Sequence, residues 1–332
     1  MIYDLAIIGG GPAGVSAGVY ASRKRLKTVF ITKDFGGQSI DSVGIENWIG
    51  TINISGIELA KSLEKHLRTY AIGADGVAIV DIKTGELCQM ISKTPAAGTN
   101  GAQTFSIKTN KASYEARAVL VTAGSHRRKL DITGATTFEH KGLTYCASCD
   151  GPLFAGQDVA IVGGGNAAFE TASQLLAYCK TVTLLNRSSD LRADPSTIAS
   201  VRAHPNMKIA FNAVPKAVTG DKFVTGLIYT DMKENAGEKN AASGKDIALP
   251  VTGIFVEIGA LPTTEFVKDL VKLDDFSRIV VDPRNQRASI AGIWAAGDCT
   301  DGIYHQNNIA AGDAVKALED IYIELQKQKG AN

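Results

Sequence analysis

Two cysteines separated by two small residues have the clearest chemical potential in the sequence. Cys146 and Cys149 lie in the segment YCASCDG, which continues directly with Asp150. This spacing lets two sulfurs close a short disulfide, and a nearby positive dipole or acid can tune the thiolate. The alternative is half of a zinc site, which needs about four ligands, commonly supplied as two such pairs. The sequence has no second pair and no Cys/His cluster, so a redox dithiol is favoured and no metal site is predicted.

Length and composition describe an ordinary globular chain of about two domains. The 332 residues include 35 basic and 34 acidic side chains, so bulk charge indicates neither nucleic acid nor an anionic membrane as a partner. No apolar run approaches the roughly 20 residues of a membrane span, and the N-terminal MIYDLAIIGGG lacks a basic leader with a cleavage site. Five cysteines, an odd number, suit reduced thiols plus one special pair. We therefore expect a cytoplasmic protein.

The first of two glycine-rich turns lies near the N-terminus. In YDLAIIGGGPAGVSAG, an apolar strand pattern precedes Gly9, Gly11 and Gly14, and a helix pattern follows. These glycines fit G-x-G-x-x-G: the first makes the tight turn, the second lets a pyrophosphate approach the backbone, and the third packs the helix on the strand. The start of the helix then faces the phosphates.

The same pattern recurs in the second half of the chain. In QDVAIVGGGNAAFETASQLL, an apolar strand leads into Gly163, Gly164 and Gly165. Each turn and helix is followed by another apolar strand, KTVFIT at 27–32 and TVTLLN at 181–186. Two complete strand-helix-strand units predict two separate nucleotide sites, so that one cofactor reduces the other.

The C-terminal part of the sequence resumes a strand-and-helix pattern without a glycine fingerprint of its own. This suits a first domain that the end of the chain completes, with the second domain inserted into it. The predicted fold class is α/β, with two Rossmann-like three-layer domains divided at 1–125, 126–251 and 252–332. The polar stretches 94–103 and 233–246 are interpreted as hairpin tips or surface loops.

A set of further motifs occurs in a fixed order along the chain: GGGPAG, GGQ at 36–38, IENWIG at 45–50, CASCDGPLF, GGGNAAFE, GIFVEIGALP and AAGDCTD. This ordered set resembles the low-molecular-weight thioredoxin reductases, whose relatives include the flavoprotein reductase of the alkyl hydroperoxide system. The resemblance covers nearly the whole chain. It implies FAD in the discontinuous domain, a nicotinamide cofactor in the inserted domain, and a homodimer.

The resemblance also implies roles for the dithiol. In such an enzyme Cys149 would face the flavin and accept its electron pair, Cys146 would attack the disulfide of the partner protein, and Asp150 would protonate the departing thiolate. The dithiol and the presumed nicotinamide site belong to one domain, and both must reach the same flavin ring. The family's solution, adopted here as a hypothesis, is rotation of one domain against the other.

For FAD, the resemblance implies contacts from both parts of the first domain. The positions are Gly9, Gly11, Pro12, Ala13 and Gly14 around the pyrophosphate, Gly37, Gln38 and Asn47 near the flavin, and Asp298, His305 and Gln306 at the ribityl chain and ring edge. Two positions depart from the usual pattern. The first unit ends in Thr32 and Lys33 instead of an acid for the ribose hydroxyls, and His305 replaces the arginine common in YRQ.

For the nicotinamide cofactor, the implied contacts are Gly163, Gly165, Asn166, Ala167, Arg187, Arg192 and Gly259. NADPH-dependent members of the family have HRRxxxRA after the second strand, and the corresponding NRSSDLRAD here keeps two of the three arginines. Two arginines can grip a 2′-phosphate, and no acid stands at the strand end to bind a 2′-hydroxyl. The pattern favours NADPH and leaves NADH or a ferredoxin as the alternative donor.

Three functions are compatible with these features. The leading one is an NADPH-dependent disulfide reductase that serves thioredoxin or a thioredoxin-like protein. A dithiol oxidase of the same fold would pass electrons to oxygen, but such relatives tend to lose the second glycine turn and the aspartate after the dithiol. An electron carrier similar to ferredoxin-NADP reductases is disfavoured by the cysteine pair. Because the first strand begins at residue 2, we expect no N-terminal thioredoxin-like extension, and a hydroperoxide-system role would need a separate carrier protein.

Overall fold

The computed structural model describes residues 1–42, 44–95, 103–232 and 244–330. Its strands are β1 (Ile2–Ile8), β2 (Thr28–Thr32), β3 (Val80–Thr84), β4 (Cys88–Pro95), β5 (Gln103–Thr109), β6 (Ser113–Val121), β7 (Ser125–Arg127), β8 (Leu143–Thr144), β9 (Asp158–Val162), β10 (Thr181–Leu185), β11 (Met207–Ala210), β12 (Ala213–Gly220), β13 (Val224–Asp231), β14 (Lys245–Pro250), β15 (Gly253–Val256), β16 (Ala260–Pro262) and β17 (Ile293–Ala295). Its α-helices are α1 (Pro12–Arg23), α2 (Gly56–Ala71), α3 (Ala135–Phe138), α4 (Ala147–Asp150), α5 (Asn166–Leu175), α6 (Pro195–Arg202) and α7 (Asn307–Gly330). Short 3₁₀ helices cover Gly37–Asp41, Gly151–Phe154 and Glu265–Val267.

The chain forms two compact units, and one is inserted into the other. The first consists of Met1–His126 and Leu261–Asn332, and the second of Arg127–Ala260. The predicted boundary at 251 falls too early, because β15 pairs in parallel with β9 and therefore belongs to the sheet of the second unit. The sequence did not reveal this, since an isolated apolar strand suits either sheet equally well.

The first unit is built on a seven-stranded sheet in the order β3-β2-β1-β6-β5-β4, with β17 also paired to β6. Side chains of β1 alternate between its two faces. Leu5 and Ile7 pack in one core with α1, α2 and α7, whereas Ala6 and Ile8 pack in a second core with residues such as Phe105. The parallel pairing of β1 with β2 and β6 brings the carboxyl ends of these three strands to one edge of the sheet.

The second unit is built on a five-stranded parallel sheet in the order β11-β10-β9-β15-β8. In β9, Val159 and Ile161 pack against α5, and Ala160 and Val162 pack on the opposite face, toward Leu227. A three-stranded antiparallel sheet, β12-β13-β14, contributes Leu227 to this opposite face. The predicted α/β class with two Rossmann-like units is confirmed.

The two polar stretches interpreted as hairpin tips lie largely outside the described residues. The strands that flank them do pair antiparallel, β4 with β5 and β13 with β14. Among the helices of the described ranges, none combines the length and the apolar character that crossing a membrane requires.

Candidate functional site

The first glycine turn joins β1 to α1, and two of its glycines are required by close backbone contacts. Gly9 has φ +121°, and a Cβ there would lie 2.2 Å from the carbonyl oxygen of Thr122. A Cβ on Gly14 would lie 1.9 Å from the carbonyl oxygen of Gly9. At Gly11 the nearest atom to a Cβ would be the Cα of Gly37, at 3.9 Å. The fold thus needs glycine at the first and third positions, while the space beside the middle glycine is open.

That open space belongs to a cleft at the carboxyl ends of β1, β2 and β6. The predicted FAD positions that line it are Gly9, Gly11, Pro12, Ala13, Gly37, Gln38 and Asp298. The Gln38 amide donates to the Asp298 carboxylate over 3.2 Å and to the hydroxyl of Ser125 over 3.1 Å. These bonds hold side chains from three distant parts of the sequence at one cleft.

The other predicted FAD positions do not line this cleft. Gly14 packs against the backbone of Gly9 instead. The side-chain amide of Asn47 donates a hydrogen bond to Oε1 of Gln306 over 3.2 Å. Asn308 fixes the same loop by donating to the Asn47 carbonyl oxygen over 2.6 Å. The Nε2 atom of His305 is buried and has no hydrogen-bond partner in the described part of the chain. Such an unpaired buried nitrogen is rare in native proteins, and either a bound group or an ordered water would complete its bonding.

The residues of the first unit fit FAD on these observations. The middle glycine leaves its backbone open beside the N-terminus of α1, as a pyrophosphate requires. The end of β2 also lacks the acid that usually binds the ribose hydroxyls. The Thr32 hydroxyl donates a hydrogen bond to the carbonyl oxygen of Asp34, and the next residue, Lys33, is exposed. Sequence reasoning missed several lining residues, among them Glu86, Cys88, Ser125, Thr263 and Phe266. They belong to no local motif, because separate strands and loops bring them to the cleft.

The second glycine turn, between β9 and α5, repeats this division of roles. A Cβ on Gly163, whose φ is +149°, would lie 2.3 Å from the carbonyl oxygen of Glu257. One on Gly164 would lie 2.0 Å from Oδ1 of Asn186, whereas one on Gly165 would have no atom within 4 Å. Asn166 and Ala167 begin α5, and Gly259 follows β15 with φ +103° and open space beside it. The turn again leaves one glycine backbone accessible to a phosphate.

The loop after β10 brings both predicted arginines to this turn. Buried Asn186 donates its amide to the carbonyl oxygens of Ser188 and Asp190, over 2.8 and 3.0 Å, and so shapes the loop that holds Arg187. The backbone N–H of Arg192 donates to the Gly164 carbonyl oxygen over 2.9 Å. Both guanidinium groups belong to exposed residues and have no ion-pair partner within the described ranges. Two exposed cations, unpaired among the described residues, therefore flank the second turn.

The two cysteines form a disulfide in the second unit. Cys146 precedes α4, and its backbone N–H donates to the hydroxyl of Thr144 over 3.3 Å. The same hydroxyl donates to the carboxylate of Asp150. Burial raises the pKa of Asp150 above its ordinary value, although the Thr144 hydroxyl and the charge of His140 act in the opposite direction. The acid next to the dithiol can therefore hold a proton at a higher pH than an exposed aspartate.

Four polar residues near these sites were missed by sequence reasoning. Thr144 connects Cys146 to Asp150, as described above. Glu257 is buried and contacts Arg127 and Thr171. Burial raises the pKa of Glu257 to about 7, against the opposing charge of Arg127. The one feature of the sequence that could have identified Glu257 is its position as an acid within the apolar run GIFVEIG, where a strand is expected to end.

Comparison with known proteins gives consistent results. The sequence profile described as pyridine nucleotide-disulphide oxidoreductase matches residues 3–314. A protein named NADH dehydrogenase from Bacillus subtilis is 34% identical over 316 residues, and an alkyl hydroperoxide reductase protein from Pseudomonas aeruginosa is 37% identical over 316 residues. Each alignment covers 95% of this chain and 57% of the relative, so the chain spans little more than half the length of these relatives.

Two solved structures of thioredoxin reductases superpose on nearly the whole chain, each with a TM-score of 0.84. The enzyme from Streptococcus pyogenes is 31% identical, and the alignment covers 98% of this chain and 99% of that one. The enzyme from Giardia duodenalis is 27% identical, with 97% and 99% covered. The resemblance to thioredoxin reductases expected from the motifs is confirmed. The chain therefore belongs to the pyridine nucleotide-disulphide oxidoreductase family, membership of which implies FAD and a pyridine nucleotide as cofactors.

Proposed function

We propose that this chain is an NADPH-dependent disulfide reductase that transfers electrons to a thioredoxin-like protein. The observation that carries the proposal is the Cys146–Cys149 disulfide with the half-buried Asp150 beside it, in the same unit as the second glycine turn. A protein that only bound nucleotides would have no use for this combination. We further propose a homodimer in the cytoplasm, on the resemblance to thioredoxin reductases.

The residues of the first unit would bind FAD, which supplies two-electron transfer between the pyridine nucleotide and the dithiol. Gly9 and Gly14 set the shape of the turn, and the open backbone at Gly11 would receive the pyrophosphate. The hydrogen-bonded pair of Gln38 and Asp298 would fix the polar side of the flavin. The unpaired Nε2 of His305 would find its missing partner on the cofactor.

The dithiol residues would perform thiol-disulfide exchange. Two electrons and two protons convert the Cys146–Cys149 disulfide to two thiols, and Cys146 would attack as the thiolate after passing its proton to Asp150. Its sulfur bonds to one sulfur of the partner disulfide and the other partner sulfur leaves, taking the proton that Asp150 holds. Cys149 then attacks the sulfur of Cys146, restores the internal disulfide and releases the second partner thiolate. The raised pKa of Asp150 supports its assignment as the proton donor.

The preference for NADPH follows from charge at the second turn. Arg187 and Arg192 are exposed cations without ion-pair partners in the described chain, and β10 ends at Leu185, which is followed by Asn186 and not by a carboxylate. A 2′-phosphate would be bound by two charge-assisted donors, whereas a 2′-hydroxyl would lack its usual acceptor. The similarity to the Bacillus subtilis NADH dehydrogenase keeps NADH as the second candidate donor.

Anaerobic mixing of the FAD-bound protein with NADPH or NADH tests the donor, with the bleaching of flavin absorbance as the signal. Fast bleaching by NADPH and slow bleaching by NADH is the expected result. Faster bleaching by NADH would contradict the role given to the arginines, and bleaching by neither would contradict the proposed function. Reduction of a thioredoxin disulfide by the NADPH-reduced enzyme tests the acceptor. Cys146→Ser should abolish that second step and leave flavin bleaching intact.

A further inference from the structure

The second unit contains a buried ion pair to which the function proposed above gives no role. Glu257 follows β15 directly, and only 4% of its side chain is exposed. Its Oε2 accepts a hydrogen bond from Nη1 of Arg127 over 3.1 Å, and its Oε1 accepts one from the Thr171 hydroxyl over 2.9 Å. Both carboxylate oxygens are thus engaged, one by a residue of α5 and one by the first residue of the unit.

This ion pair lies beside the second glycine turn. The carbonyl oxygen of Glu257 is the atom closest to a Cβ built on Gly163. The backbone N–H of Arg128 donates to the carbonyl oxygen of Gly259 over 3.0 Å, so residues 127–128 run next to residues 257–259. Arg127 is therefore fixed at the carboxyl edge of the parallel sheet, next to the turn that would bind a pyrophosphate.

The order of the strands tells which half of a dinucleotide would meet Arg127. In the strand order of the sheet, β11-β10-β9-β15-β8, the direction of chain order reverses between β9 and β15. Ligands of such sheets bind at this switch point, outside the carboxyl ends of the strands. The loop with Arg187 and Arg192 follows β10, on the adenosine side of the turn. Arg127 lies on the other side, next to β15, where the nicotinamide half would extend.

The guanidinium of Arg127 has donors to spare. It has five N–H groups, and one hydrogen bond, to Glu257, engages it among the described residues. Its side chain is 38% exposed, so part of it remains accessible to a ligand. By contrast, Lys129, two residues further on, is 69% exposed and pairs with Glu139. A cation fixed by a buried acid is preorganised for a ligand, because little side-chain freedom remains to be lost.

We propose that Arg127 is a further cofactor-binding residue, which contacts the phosphate next to the nicotinamide ribose, and that Glu257 is the positioning residue that holds it. The inference rests on the proposed binding of a pyridine nucleotide to the second unit. Arg127 would not discriminate NADPH from NADH, because both have the same phosphate next to the nicotinamide ribose. Discrimination stays with Arg187 and Arg192 at the 2′ position.

Calorimetric titration of the FAD-bound protein with NADP⁺, NAD⁺ and 2′,5′-ADP tests the proposal by affinity instead of turnover. Arg127→Gln should raise the Kd of both dinucleotides by about tenfold, the loss of one charge-assisted hydrogen bond. It should leave the Kd of 2′,5′-ADP unchanged, because that fragment lacks the nicotinamide half. The matched control Lys129→Gln removes one neighbouring cation and should change none of the three values.

A double-mutant cycle tests the role of Glu257. Glu257→Gln should weaken dinucleotide binding about threefold when Arg127 is present and have no effect in the Arg127→Gln background. Equal effects in both backgrounds would overturn the positioning role. An unchanged dinucleotide Kd in Arg127→Gln, or an equal loss with 2′,5′-ADP, would overturn the contact at the nicotinamide side. If the wild-type protein bound none of the three ligands, the proposed function itself would fail, which is a different result from binding that is insensitive to Arg127.

Discussion

Alanine substitutions at two glycines of the first turn should separate folding from cofactor binding. At Gly14 a Cβ would lie 1.9 Å from the Gly9 carbonyl oxygen, whereas real Cβ contacts stay above 3.0 Å, so the turn and α1 must move apart by about 1 Å. Gly11 differs, because its φ of −75° suits any residue and the nearest atom to its Cβ is 3.9 Å away. Gly14→Ala should therefore impair folding, and Gly11→Ala should impair only the binding of FAD.

The magnitudes follow from these contacts. Inserting a methyl group into a packed backbone contact costs about 1–3 kcal/mol, and the better helix propensity of alanine returns up to about 1 kcal/mol. Gly14→Ala should thus destabilise the apoprotein by about 1–2 kcal/mol. Gly11→Ala should leave the free energy of unfolding unchanged or raise it by about 0.4–1 kcal/mol, since alanine restricts the unfolded chain. Its methyl group would displace the pyrophosphate from the backbone, and loss of one charge-assisted hydrogen bond would weaken FAD about 10- to 100-fold.

Two assays separate the effects. Urea unfolding of the FAD-free protein, followed by circular dichroism, gives the stability of each variant. Titration with FAD, followed by quenching of flavin fluorescence, gives the affinity. The reasoning would be refuted if the Gly11→Ala apoprotein were the less stable of the two variants, or if it bound FAD as tightly as the wild type.

Three further predictions concern the second unit. Asp150→Asn should slow reduction of a thioredoxin disulfide about 100-fold in steady-state assays and leave flavin bleaching by NADPH unchanged, because the amide has no acidic proton to transfer; equal slowing of both steps would contradict that role. The double variant Arg187→Gln, Arg192→Gln should raise the KM for NADPH at least about tenfold and spare the KM for NADH, and a parallel rise in both would place the arginines elsewhere. Because burial raises the pKa of Glu257 from 4.5 to about 7, the folded state holds a proton that the unfolded chain releases. Relative to Glu257→Gln, the wild-type apoprotein should lose about 3 kcal/mol of stability as the pH rises from about 4.5 to about 7, and a constant difference in urea unfolding would contradict this.

Local motifs predicted the parts of the molecule that depend on neighbouring residues. The glycine turns at Gly9 and Gly163 and the cysteine pair could be located because close backbone contacts and a short disulfide restrict which residues fit at fixed spacing. The start of the inserted unit, predicted at 126, lies one residue from the observed Arg127. Its end was misplaced because β15 is recognisable as a strand while its partner, β9, lies far away in the sequence.

Residues that act through distant contacts left no such pattern. Glu257 meets Arg127 only because β15 pairs with β9 and the chain crosses between the units at residue 127. Thr144 is close to the dithiol in sequence, yet its link to Asp150 depends on the bend of the chain before α4. The spacing of residues along one segment does not encode either contact.

The two glycine turns have nearly the same sequence but differ in their surroundings, and the difference suits the roles proposed for them. The first opens into a cleft lined by residues from both segments of its unit, including Gln38 and Asp298. Contacts from both segments of the unit suit a cofactor that stays bound. The second is flanked by Arg187, Arg192 and Arg127, whose guanidinium groups are at least partly exposed. Exposed cations attract an anion over about 8–10 Å and release it readily, as a nucleotide that exchanges in each turnover requires.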